Sequence, residues 1–86
     1  MVSIPTEQLL RETLSTAGIA HHEYEANFLN GARDEQWAGW YSAYVLGSLG
    51  DFTTPTLLTR WLEEVSGEGD WQKNAAAHVL SNIGAV

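Results

Sequence analysis

An all-helical domain, a compact bundle or orthogonal array of about five short helices, is predicted by three features of this chain. Apolar residues recur at i, i+3, i+4 and i+7 in one segment after another, the period of a helix with one buried face. Capping residues stand before these segments, and glycine or Asn-Gly follows them. The β-branched residues are dispersed, and no segment alternates for long enough to read as a strand.

The first helix opens at Pro5 or Thr6 and carries Leu9, Leu10, Leu14 and Ala17 up to Gly18, a residue suited to the positive φ of a helix end. A second helix from about Ile19 to Asn30 sets His21, Tyr24, Glu25, Phe28 and Leu29 on one side and stops at Asn30-Gly31. Asp34 is read as the N-cap of a third helix reaching Leu49. Its residues Trp37, Trp40, Tyr41, Tyr44, Val45 and Leu49 form one continuous face, which marks it as the central element. Thr54 before Pro55 pairs a capping hydroxyl with a proline at the first helical position, where a missing N–H costs nothing. The fourth helix begins there, with Leu57, Leu58, Trp61, Leu62 and Val65 as its buried stripe and Gly67 as its stop. Asp70 caps a fifth, whose stripe is Gln72, Ala75, Ala76, Val79, Leu80 and Ile83, and Gly84 ends it.

Eighty-six residues suit one domain, and a hydrophobic share of 44% with 17% charged residues is that of a folding chain. Eleven acidic residues against four Lys and Arg give a net charge of −7. Nucleic acid and anionic membrane surfaces, which demand basic groups, are therefore not expected partners. Without cysteine there is no disulfide, thiolate nucleophile or cysteine-based zinc site. The N-terminal run from Met1 to Glu7 lacks the basic start and apolar stretch of a secretory signal, so a cytoplasmic location is expected.

Two constellations carry chemistry. His21 and Glu25 stand one turn apart on a helix, beside Tyr24, a combination able to bind a metal or move a proton. A metal would need a third ligand from elsewhere, such as His78, and the zincin spacing is absent. The structural alternative is a buried imidazole bonded to Glu25 or a tyrosine hydroxyl. Trp37, Trp40, Tyr41 and Tyr44 are either core rings that need polar partners for their N–H and O–H groups, or a surface that a partner covers. Asp34, Asp51 and Asp70 are explained by capping and turns. No phosphate loop or G-x-S-x-G elbow is present, and nothing in the sequence names a cofactor.

The run H-H-x-Y-E from His21, an Asn-Gly turn, and D-x-x-W-x-x-W-Y-x-x-Y from Asp34 to Tyr44 resembles a pattern in small acidic bacterial proteins of uncharacterised function. It covers about a quarter of the chain. Where that pattern has a proline and an acidic residue between the tryptophans, this chain has Ala38 and Gly39. The resemblance implies a shared helical core and transfers no catalytic role to this chain. The expectation is thus a protein-interaction module that pairs with a second copy, as a homodimer, or with another protein. The alternative is a small-molecule or metal site built by His21, Tyr24 and Glu25 against Trp37, Trp40, Tyr41 and Tyr44, with His21 and Glu25 as the metal ligands.

Overall fold

Helix boundaries follow from where the chain caps and reverses itself. The computed structural model describes residues 3–84, so Met1 and Val2, part of the run read for a secretory signal, lie outside the described residues, as do Ala85 and Val86. Four helices result: α1 Glu7–Phe28, α2 Trp37–Leu49, α3 Pro55–Glu63 and α4 Trp71–Ile83. Among the described residues there is no strand, and no helix is long and apolar enough to cross a membrane.

The first two expected helices are one. Gly18 lies within α1 and does not end it. A mid-helix glycine costs only about 1 kcal/mol relative to alanine, which continued packing on both sides offsets. Thr6 caps the start, its hydroxyl accepting from the Leu9 amide at 3.1 Å. The end is the expected Asn30-Gly31, with φ of 54° and 81°, and the Gly31 amide donates back to the Glu25 carbonyl at 2.9 Å. Asn30 takes the left-handed conformation at little cost, as asparagine does more readily than most residues.

Asp34 is not the N-cap of α2. That place falls to Gln36, without a side-chain cap, because the Asp34 carboxylate shapes the preceding turn and reaches back to α1. Thr54 and Asp70 do cap α3 and α4, accepting from the amides of Leu57 and Lys73 at 3.2 Å each. Helix α3 is shorter than predicted, so Val65 packs from the turn that follows it.

Helix α1 packs on α2 and α4, and α3 packs on the same two, so the backbones close a ring of four. Leu10 and Leu14 of α1, Val45 of α2, Leu58 and Leu62 of α3 and Val79 of α4 are fully buried inside it. The face of α2 that enters this core matches the predicted one only in part: Val45 is in the core and Trp37, Tyr41 and Leu49 pack against it, but Trp40 and Tyr44 do not. Ala38, Ser42, Val45 and Leu46 are buried, whereas Trp37, Trp40, Tyr41 and Tyr44 are only half-buried. Small residues let α2 sit close to its neighbours, and the rings are displaced to its flank. Buried Ser42 is satisfied by the Thr59 hydroxyl of α3, which donates to it at 3.0 Å. Phe28, expected on the inward side, is 75% exposed, and Leu57 is exposed as well.

Candidate functional site

The site is assembled by one short connection. Between the end of α1 and the start of α2 the chain reverses through Asn30 and Gly31, which returns Asp34 to the last turns of α1. Asp34 Oδ2 accepts from His21 Nε2–H at 2.9 Å, its Oδ1 accepts from the Gln36 amide at 2.9 Å, and its own amide donates to Glu25 Oε2 at 2.8 Å. Because an ionised carboxylate only accepts, the proton between His21 and Asp34 belongs to Nε2. The hydrogen bond from His21 and that from the Gln36 amide hold the Asp34 carboxyl below the usual aspartate range, against a smaller opposing effect of burial. His21 is 6% exposed. Its Nδ1 stands 4.0 Å from Glu25 Oε2, too far for a hydrogen bond.

The imidazole also sits at a junction of rings. Trp40 meets it edge-on with centroids 5.0 Å apart, Tyr41 lies at 5.2 Å and Tyr24 at 6.0 Å. From this junction an inner group turns toward the core: Trp37, Tyr41 and Trp71 form a triangle with sides of 5.6, 5.7 and 5.8 Å and steep interplanar angles. Such edge-to-face pairs are the favourable geometry for aromatic quadrupoles. Burial, and then the nearby Glu25 charge, push the Tyr41 phenol above the usual tyrosine value.

An outer row runs the other way. Phe28 meets Tyr24 at 5.7 Å, Tyr24 meets Trp40 at 5.7 Å, and Trp40 stacks on Tyr44 at 5.7 Å with only 14° between planes. This row bridges α1 and α2 on the outside of the bundle.

Two recesses adjoin these groups. One, of about 220 Å³, is open to solvent and lined by His21, Glu25, Arg33, Asp34, Trp37 and Tyr41. The other, of about 280 Å³, lies between α1 and α2 and is lined by Leu9, Glu12, Thr13, Thr16, Tyr44 and Ser48. A third groove, of about 460 Å³ beside Gly39 and α3, touches neither constellation.

Compared with known proteins, the chain matches no protein family, no curated protein and no solved structure.

Of the seven residues singled out in the sequence, Tyr24, Trp40 and Tyr41 surround the His21 ring, Glu25 and Trp37 share the polar recess with it, and Tyr44 joins only through Trp40. Asp34, Arg33 and Trp71 belong to the same neighbourhood and were missed. The eight-residue connection between α1 and α2 was the available signal, since so short a link keeps Asp34 near His21 and Glu25. His78, the other imidazole weighed as a ligand, lies apart and contacts Glu64 at 2.7 Å near the end of α3. Among the described residues no group of three or more His, Asp and Glu side chains is arranged to hold a metal ion.

Proposed function

We propose that this chain is a protein-interaction module whose contact surface is the outer aromatic row. One observation carries the reading: Phe28, Tyr24, Trp40 and Tyr44 form a continuous run of rings outside a core that closes without them. Rings that bridge two helices at the surface are the kind of group that anchors protein contacts, where apolar bodies are buried while polar tips keep a partner. The network behind them supports the same reading, because His21 and Asp34 fix the packing of α2 on α1 and so preorganise the row. A photo-crosslinking residue placed at Phe28 tests this against one at Ile19, which is 67% exposed on the opposite side of α1. Adducts formed in cells from position 28 and not from 19 are expected. Equal labelling from both positions, or none from 28, would overturn the reading.

A second reading is favoured by the polar recess, in which Arg33 forms no ion pair among the described residues although Glu25 and Asp34 line the same walls. It assigns the recess to a small organic ligand held by His21, Glu25, Arg33 and Tyr41. Native mass spectrometry should then show added mass that His21→Ala loses while helicity persists; loss of helicity in that variant would leave the network purely structural.

A further inference from the structure

We propose that the outer aromatic row binds a basic segment of another protein rather than a second copy of this chain. The inference rests on the interaction reading above and names the chemistry of its partner.

Charge decides between the occupants. Each copy carries −7, so pairing two copies sets like charges against each other, whereas a cationic segment is attracted to the whole surface. The four basic residues are also elsewhere. Arg11 pairs with Glu7, Arg33 lines the polar recess, Arg60 lines the groove beside α3, and Lys73 lies in the first turn of α4. Among the described residues no Lys or Arg lines the recess that continues the row past Tyr44.

That recess has the composition of a Lys or Arg receptor. Leu9 and the Tyr44 ring offer apolar surface to an aliphatic stem, and Glu12 offers a carboxylate to the charged head. Thr13 and Thr16 donate their hydroxyl protons to the carbonyls of Leu9 and Glu12, so the Glu12 carboxylate is the dominant polar feature. Glu12 forms no ion pair among the described residues. Eleven residues later, three helical turns and about 16 Å along the same side of α1, stands exposed Glu23. Tyr24, the next residue in the chain, pairs with Trp40 in the row. A segment with two basic side chains about 16 Å apart would place one at each carboxylate, with Tyr44 of the row beside the first.

The test is calorimetric titration of the full chain with a nine-residue peptide of alternating arginine and glycine, alongside its glutamate counterpart. Binding of the arginine peptide alone is expected. Glu12→Gln should weaken it about tenfold, and Glu68→Gln, an identical charge change on the loop before α4, should leave it within twofold. Trp40→Leu, checked for helicity, should also weaken it several-fold. Equal effects of Glu12→Gln and Glu68→Gln would mean diffuse attraction and overturn the proposal. So would failure to bind. If that failure came with position-28 crosslinks to a second copy, the basic partner would be wrong while the interaction surface stood; with no position-28 crosslinks, both would fall.

Discussion

The phenolic oxygen of Tyr41 stands 3.2 Å from the point that a β-carbon on Gly18 would occupy. This close approach explains why a glycine interrupts a run of helix formers in the middle of α1 without ending it. Tyr41 cannot withdraw easily, because Trp37 and Trp71 hold its ring on two sides. Gly18→Ala should therefore fail to yield the gain of about 0.5 to 1 kcal/mol that alanine normally brings to a helix interior. In a Tyr41→Phe background, which removes the hydroxyl, the same substitution should recover it. Urea denaturation of the four proteins of this cycle measures the coupling, and additive effects would refute the contact.

A second prediction concerns acid. The Asp34 carboxyl is held below its ordinary range in the folded chain, chiefly by the hydrogen bond from His21. Its stabilising contribution is therefore complete above the unfolded aspartate value of about 4 and is lost as pH falls from there through the folded value. Asp34→Asn removes this titration and turns an amide NH₂ toward one of the two donors, His21 or Gln36. Thermal melts should show a lower Tm at neutral pH and a shallower decline below pH 4 than the parent. Parallel acid limbs would mean that the pair does not couple folding to pH.

The packing of the third and fourth helices was legible because their signals are local. Thr54-Pro55 and Asp70 cap as their side chains dictate, and the stripes through Leu58 and Leu62 and through Ala75, Val79 and Leu80 are buried. Two errors had one source, the weight given to residue type over tertiary context. Gly18 looked like a terminator, but its role is set by Tyr41, a residue 23 positions later. The aromatic face of α2 looked like its core face, but Ala38 and Ser42 occupy that position because close helix packing leaves room only for small groups there. Periodicity located the face within one residue per turn, and a shift of one position left Trp40 and Tyr44 half-buried outside the core. The buried, bonded imidazole weighed as one alternative for His21 is found, but its partner is Asp34, read as a cap, and only the short connection after α1 signalled that Asp34 would return to it.

If the outer row serves contact rather than folding, truncating its exposed end should be nearly neutral. Phe28→Ala should change stability by less than about 0.5 kcal/mol, as surface substitutions do. Trp61 is 8% exposed and packs within the core, so Trp61→Ala should cost about 3 to 5 kcal/mol. In a domain of this size that is a large part of the total stability. Chemical denaturation distinguishes the two, and a cost for Phe28→Ala near that of Trp61→Ala would make the row a folding element.

The last prediction concerns base. Burial first, and the Glu25 charge second, raise the Tyr41 phenol above its usual value. The folded chain thus favours the neutral phenol more strongly than the unfolded chain does. This contribution is intact below the unfolded tyrosine value of about 10 and is lost as pH rises from there toward the raised folded value. Absorbance titration near the phenolate band should show a late component that Tyr41→Phe removes. Glu25→Gln keeps an oxygen for the Asp34 amide but removes the charge, so it should move the late component toward the ordinary range without abolishing its delay, because burial remains. A late component unchanged by Glu25→Gln would assign the whole shift to burial, and one absent from the parent would show that water reaches the Tyr41 hydroxyl beside Gly18.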